Sequence, residues 1–128
     1  MSKTKRIITG LLLFTLVICM AVIAVEARTK IVRRFFDNRV YDNWNHYLPC
    51  EELPTEAEAI AIIQQHQDII QVIERVNPGL VGVEVDSSTC PGKADLVIWY
   101  ASHQNRLDIE NIIGSDMFFG APYRLQNR

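Results

Sequence analysis

An uninterrupted apolar stretch near the N-terminus constrains this chain more than any other feature. Residues 7–25 contain no charged side chain, and Lys3, Lys5 and Arg6 stand directly before them. A helix rises about 1.5 Å per residue, so the stretch covers roughly 28 Å, close to the hydrocarbon thickness of a bilayer. The stretch is apolar on every side of a helix, which is not typical of a helix packed onto a soluble domain.

The same stretch permits two interpretations, an uncleaved membrane anchor and a cleavable signal sequence. Signal sequences share the charged start, but their apolar region usually spans only about 7–15 residues. Length therefore favours an anchor over residues 1–27, although Val25-Glu26-Ala27 loosely fits a signal cleavage site. We expect a single-pass membrane protein, or a secreted protein if the leader is removed.

Charge alone does not orient such an anchor, because cations stand on both sides of it. The short N-terminal tail with its three cations is hard to move across a membrane, which favours a cytoplasmic N-terminus. The rest of the chain holds two cysteines, Cys50 and Cys90, an even number that suits one disulfide. Both observations favour a C-terminal domain on the extracytoplasmic side.

The remainder of the chain divides by charge into a basic segment and an acidic domain. Residues 28–49 carry five cations and two anions, and residues 50–128 carry five cations and twelve anions. An acidic domain argues against a nucleic-acid partner, which requires a basic surface. The basic segment either solvates the exit from the bilayer or contacts anionic lipid headgroups. The candidate membrane-surface residues are Arg28, Lys30, Arg33 and Arg34.

The pattern of residues 50–128 predicts one small α+β domain. Thr55 and Glu58 form a capping box that begins a helix of about twenty residues, which Asn77-Pro78-Gly79 ends. Alternating valines predict a strand over residues 80–87, and the apolar run of residues 94–101 predicts a second strand paired with it as a hairpin. Ser102 then caps a helix over residues 103–113 that Gly114 ends.

Residues 117–125 predict a final strand, which Pro122 would place at an edge of the sheet or at a bulge. Adding a first strand over residues 40–48 gives the order βαββαβ, a ferredoxin-like sandwich in which that strand lies between the two parallel strands. An apolar residue at every fourth position of residues 32–48 fits a helix equally well. Without the first strand the order is αββαβ.

The ferredoxin-like topology places Cys50 and Cys90 at the same end of the sheet. Cys50 follows the candidate first strand, and Cys90 lies in the turn of the central hairpin. A disulfide between them is therefore geometrically reasonable, and it would stabilise so small a domain.

No combination of residues in the sequence predicts catalysis or a cofactor. The three histidines, His46, His66 and His103, have no metal-ligand spacing, and the two domain cysteines are expected to pair with each other. Asp95 and Asp108 read as lone, solvated carboxylates. We therefore expect a non-enzymatic protein without a cofactor or a metal.

An aromatic cluster close to residue 120 is the candidate protein-contact surface. Alternation alone does not bury so many large apolar side chains, and an exposed aromatic strip favours a protein partner. The leading hypothesis is a membrane-tethered interaction module or an accessory subunit of a membrane complex. The alternatives are a secreted protease inhibitor or prosegment, and a small-ligand or metal carrier that uses His66 or Lys93. The candidate partner-binding residues are Trp99, Phe118, Phe119, Pro122 and Tyr123.

Overall fold

A computed structural model describes residues 2–128 of the chain, which divide into two compact units with the boundary along the chain after Phe35. The first unit contains α1 (Lys3–Thr29), an apolar helix in which no residue is buried. The length and hydropathy of α1 suit either a membrane span or a signal sequence. Lys30 then takes a left-handed conformation, with φ of 54°, and α2 (Ile31–Arg39) begins.

The second unit, from Phe36 onward, is an α+β domain with a four-stranded mixed sheet. The strand order is β1-β2-β4-β3, in which β2 and β4 are parallel and the other two pairs are antiparallel. Residues 36–49 belong to this unit together with residues 50–128. After a short 3-10 turn (Cys50–Glu52), the elements are α3 (Glu56–Gln65), α4 (Gln67–Glu74), β1 (Gly82–Asp86), β2 (Asp95–Tyr100), α5 (His103–Ile113), β3 (Met117–Phe118) and β4 (Ala121–Asn127).

The helices of the domain cover one face of the sheet. Alternate residues of the strands point toward these helices and form the core with apolar side chains of α3, α4 and α5. The opposite face carries Asp95, Val97 and Trp99 of β2, and we call it the open face. The residues at the centre of the core are Ala59, Ile70, Ile73, Leu96, Ile98, Tyr100, Ile109, Tyr123 and Leu125.

The local signals for helix ends and for the hairpin are confirmed. Thr55 accepts a hydrogen bond from the Glu58 N–H, and the Glu58 carboxylate accepts one from the Thr55 N–H, as a capping box requires. Ser102 caps α5, and Gly114 ends it with φ of 64°. The predicted hairpin is the antiparallel pair of β1 and β2.

The predicted twenty-residue helix is wrong in one respect, because it breaks at His66 into α3 and α4. His66 has φ of −118° and ψ of 35°, and its N–H is shared between the carbonyls of Ile62 and Ile63. The Gln67 side chain also donates to the Ile63 carbonyl, at 3.0 Å. This local hydrogen bonding satisfies the backbone while the helix changes course.

The predicted final strand is two strands joined by a tight turn. β3 and β4 pair with Met117 opposite Pro122 and Phe118 opposite Ala121, which leaves Phe119 and Gly120 as a two-residue loop. β4 lies inside the sheet and not at its edge. Pro122 is tolerated there because the pairing with β2 begins one residue later, at Tyr123, so the missing N–H interrupts no ladder with β2.

The ferredoxin-like topology is not confirmed. That topology requires a strand between β2 and β4, yet these two strands pair directly. The predicted first strand, residues 40–48, forms only one antiparallel bridge, between Trp44 and Leu125 of β4. The domain therefore follows the order αββαβ, with its first helix broken and its last strand divided.

Candidate functional site

The loop between β3 and β4 places a large aromatic side chain at a strained and exposed position. Phe119 has φ of 49° and Gly120 has φ of 90°. Positive φ at both positions is the mark of the type I′ turn that suits a two-residue hairpin, for which Asn-Gly is the favoured pair. A phenylalanine in this conformation costs about 1–2 kcal/mol. Its side chain is nonetheless 54% exposed.

The Phe119 ring is held in place by the histidine at the helix break. The His66 and Phe119 rings stack with centroids 3.5 Å apart and planes within 8° of parallel. Phe118 meets both rings edge-on, at 6.2 Å and 5.0 Å. Because Met117 beside them is 41% exposed, Phe119, His66 and Met117 form one apolar projection, which we call the hairpin tip.

Most of the predicted partner-binding strip does not lie on the surface. Phe118 and Tyr123 are buried in the core, and Pro122 is buried outside the core cluster. Burial, followed by the nearby carboxylates of Glu110 and Asp116, raises the pKa of Tyr123 to about 12. Its hydroxyl therefore stays protonated and donates to the Ser115 carbonyl at 2.9 Å.

Trp99 is half-buried and lies away from the hairpin tip, on the open face of the sheet. Its ring covers Gly82 of the neighbouring strand, where a Cβ atom would lie 2.3 Å from the indole. Of the five predicted contact residues, only Phe119 therefore projects from the hairpin.

The open face carries a charged cluster that the sequence did not predict. Arg124 on β4 donates to Asp95 on β2 at 2.5 Å and also binds Asp86 on β1. His46 contacts the same oxygen of Asp95, Oδ2, at 2.8 Å. We call these four residues the open-face cluster. Asp95 is only 4% exposed, so the expectation of a solvated carboxylate at this position is wrong.

Hydrogen bonds keep both carboxylates of the open-face cluster ionised. Those from Ser88, and then that from Arg124, lower the pKa of Asp86 to about 2. Burial would raise the pKa of Asp95, but the hydrogen bonds from His46 and Arg124 outweigh it, and the pKa falls below its usual value. The cluster is a set of satisfied ion pairs.

His46 is positioned as a structural residue and not as a proton acceptor. Its Nδ1 accepts the Leu48 N–H at 2.9 Å, so the neutral ring carries its proton on Nε2 and donates it to Asp95. Neither ring nitrogen is free to take a proton from a substrate. The pairing of His46 with Asp95 therefore lacks the open nitrogen that a general base requires.

A second polar cluster holds residues 38–43 against the rest of the domain. Arg106, which is buried, donates to Glu110 at 2.8 Å, to Asp42 at 3.1 Å and to Asn38 at 2.6 Å. The Asp42 carbonyl accepts the Tyr100 hydroxyl, and its carboxylate contacts His103 at 2.7 Å. His103 thus contacts Asp42 and, within residues 2–128, belongs to no group of metal ligands.

The predicted disulfide is present. Cys50 and Cys90 are bonded, with their Cα atoms 5.6 Å apart. Two backbone hydrogen bonds, from Glu56 to Gly92 and from Ala94 to Pro54, fasten the same two segments. Within the described part of the chain, Cys19 of α1 is the one free cysteine.

Neither residue of the metal-carrier hypothesis belongs to a group of ligands. Within residues 2–128, no three side chains of His, Cys, Asp or Glu come together in a way that could hold a metal ion. His66 stacks on Phe119, and Lys93 lies half-buried in the hairpin turn beside Thr55.

No protein-family model, curated protein or solved structure shows a significant match to this chain. The hairpin tip and the apolar helix α1 are therefore the features on which a functional proposal rests. Sequence patterns predicted Phe119 as a contact residue but did not predict its partner His66, because the two residues are far apart in the chain. The one available signal was a polar residue in the apolar stripe of the predicted helix.

Proposed function

We propose that this chain is a membrane-tethered, extracytoplasmic protein-interaction module, or an accessory subunit of a membrane complex, that binds its partner through the hairpin tip. In this proposal α1 is the tether, the disulfide-bonded domain is the binding module, and the partner is a protein with an apolar recess for an aromatic ring. The protein performs no catalysis.

Phe119 is the observation that carries the proposal. Its backbone conformation favours asparagine or glycine, and more than half of its side chain is exposed to water. Neither the turn nor the core requires a phenylalanine at this position. An aromatic ring that is held rigidly at the surface loses little conformational entropy on binding, and such residues dominate the energetics of protein interfaces.

Two further features support the compartment and the tether. The apolar helix α1 is long enough to span a bilayer, and none of its residues is buried in protein. The Cys50–Cys90 disulfide is typical of proteins that fold in an oxidising compartment. A tethered domain outside the cytoplasm accounts for both features together.

The chemistry of the domain supports a binding role over a catalytic one. In the described residues, both nitrogens of His46 are engaged, His103 contacts Asp42, and His66 stacks on Phe119. The polar groups of the open-face cluster satisfy one another. These side chains stabilise the fold and leave no activated group directed at a substrate.

Phe119→Asn separates binding from folding. Asparagine suits the turn, so the free energy of unfolding should change by less than about 1 kcal/mol as relief of backbone strain offsets the lost stacking. Partner binding should fall at least about tenfold, as expected for loss of an interface anchor. The full chain is expressed in its native membrane with a photo-crosslinking amino acid at position 117, and the yield of the partner adduct is compared between variants.

Leu107→Asn is the matched control, because Leu107 is an exposed apolar residue of α5 away from the hairpin. Phe119→Tyr keeps an aromatic ring and should keep the adduct. Equal adduct yields from Phe119→Asn and Leu107→Asn would disprove the role of the hairpin tip. Mass spectrometry of the same material tests the tether: residues 1–27 should be retained, whereas a mature chain that begins at Arg28 would indicate a secreted protein.

A further inference from the structure

The short helix α2 is amphipathic and follows α1 after a single residue. At 100° per residue, its apolar side chains occupy an arc of about 140°, and its polar side chains occupy the opposite side, except the terminal Arg39, which falls within the apolar arc. Ile31 is 59% exposed and Val32 is 48% exposed. The apolar side consists of Ile31, Val32, Phe35 and Phe36, and the polar side consists of Arg33, Arg34, Asp37 and Asn38.

The charge of this segment is strongly positive. Residues 28–39 contain five cations and a single carboxylate, Asp37. Anionic lipid headgroups attract such basic residues when they lie beside a membrane span. With nine residues, α2 is about 14 Å long and too short to cross a bilayer, so a second membrane span does not explain the exposure of Ile31 and Val32.

The junction of α1 and α2 joins their apolar surfaces. The carboxylate of Glu26 accepts the N–H groups of Val32 and Arg33, at 2.7 Å and 3.1 Å, and so caps α2 where the chain turns at Lys30. A groove of about 470 Å³ lies between the two helices. Its apolar lining comes from Val22 and Ile23 of α1 and from Val32 of α2, with Lys30 and Arg33 beside them.

We propose that α2 lies in the membrane–water interface of a bilayer that contains anionic lipid. Its apolar side enters the boundary between headgroups and acyl chains, and its cations bind the lipid phosphates. Three observations favour lipid as the occupant: the apolar surface continues from α1, the charge complements anionic headgroups, and the segment adjoins the end of a span. The inference rests on the proposed role of α1 as a membrane tether.

Depth measurements on the full chain test this inference. In a Cys19→Ser background, in which Cys50 and Cys90 remain oxidised, single cysteines replace Leu12, Val32 or Arg33, and each receives an environment-sensitive fluorophore. The protein is reconstituted into vesicles of phosphatidylcholine alone or of equal parts phosphatidylcholine and phosphatidylglycerol. Lipids with a quencher near the headgroup or deep in the acyl region report the depth of each label.

The adjacent positions 32 and 33 form a matched pair on opposite sides of α2. We expect the label at Val32 to be quenched by the shallow lipid quencher, more strongly in the anionic vesicles, and the label at Arg33 to remain in water. Replacing Lys30 and Arg33 with glutamine removes their charges. Each replacement should lower the equilibrium constant for placing α2 in the interface about fivefold. The same change at Arg75 and Lys93 in the domain should leave it unchanged.

The outcomes separate the failure of α2 from the failure of the tether. A Leu12 label that no lipid quenches would overturn the proposed tether. A deeply quenched Leu12 label, with labels at Val32 and Arg33 that are equally exposed to water, would overturn the interfacial helix alone. A Val32 label that is shielded from water but not quenched by lipid would also overturn it, because a protein would then cover α2. Equal quenching at Val32 in both lipid compositions would overturn the requirement for anionic lipid.

Discussion

Removing the disulfide should destabilise the domain strongly while leaving its fold intact. Cys50 and Cys90 are separated by 40 positions in the sequence. A cross-link that closes a ring of this size lowers the entropy of the unfolded chain by an amount worth about 4 kcal/mol at 25 °C. The double variant Cys50→Ala/Cys90→Ala should lose roughly this much, which is close to a thousandfold in the unfolding equilibrium constant.

The native geometry of the cross-linked segments should survive in the double variant. The hydrogen bonds from Glu56 to Gly92 and from Ala94 to Pro54 hold the same two segments together without the sulfur bond. The loss should therefore come mainly from the unfolded state, and the spectroscopic signature of the folded domain should not change. A small domain typically has a net stability of about 5–15 kcal/mol, so the loss is a large fraction of it.

Urea unfolding of the full chain in detergent measures this effect. Both tryptophans, Trp44 and Trp99, lie in the domain, so intrinsic fluorescence reports the unfolding of the domain and not that of α1. With a urea dependence of about 1–1.5 kcal/mol per molar, the midpoint should fall by about 3 M. Cys19→Ala is the control and should not move the midpoint. A loss below about 1 kcal/mol would refute the reasoning, since it would mean that the cross-link barely restrains the unfolded chain.

Three further changes test the sheet and its open face by urea unfolding. Gly82→Ala should lower the free energy of unfolding by about 1–2 kcal/mol and alter tryptophan fluorescence, because the new methyl group collides with the Trp99 ring. An unchanged spectrum and an unchanged urea midpoint would contradict this contact. Arg124→Met should lower the free energy of unfolding by about 3 kcal/mol, because the buried carboxylate of Asp95 loses its cationic partner. The same change at the exposed Arg128 should lower it by less than about 0.5 kcal/mol, and equal losses would argue against burial as the cause. The pKa of Asp86 falls from 3.8 to about 2 on folding, so as the pH is lowered the unfolded state binds the proton first. Roughly 1–2 kcal/mol of stability that is present above pH 4 should therefore disappear as the pH falls to 2. Asp86→Asn should flatten this pH dependence, and a wild-type stability that is constant between pH 4 and pH 2 would contradict the assignment.

Sequence patterns predicted the features that depend on neighbours along the chain. The capping box of Thr55 and Glu58, the hairpin of β1 and β2, and the limits of α5 all follow from residues a few positions apart. The disulfide was predicted because only two cysteines follow the apolar segment. Each of these features is determined by local spacing or by a small number of candidates.

The features that the sequence did not reveal depend on contacts between distant residues. The break at His66 coincides with its stacking on Phe119, more than fifty positions away, and the polar residue in the apolar stripe did not by itself indicate either the break or the stacking. The direct pairing of β2 with β4 likewise depends on which strands meet in space. Residues 40–48 were ambiguous because their polar side chains bind other parts of the domain; Asn43, for example, accepts the N–H of Asn127.

Phe119 shows how an exposed site can be partly visible in a sequence. The excess of aromatic residues near position 120 indicated a surface, but alternation could not say which of them were buried. The turn decided this, because positive φ at Phe119 and Gly120 reverses the chain and directs Phe118 into the core. Gly120 was the local signal for the reversal, whereas Phe119 is not a residue that marks such a turn.

The position of Arg124 also has a consequence for the alignment of the strands. From β4 it reaches past β2 to β1, so a single side chain links three strands on the open face. A shift of β4 by one residue would exchange the two faces of that strand. The guanidinium would then enter the apolar layer without a carboxylate, and Tyr123 would turn outward into water. Arg124, which balances the charge of the carboxylates on the open face, therefore also disfavours any shift of β4 relative to β2 by an odd number of residues.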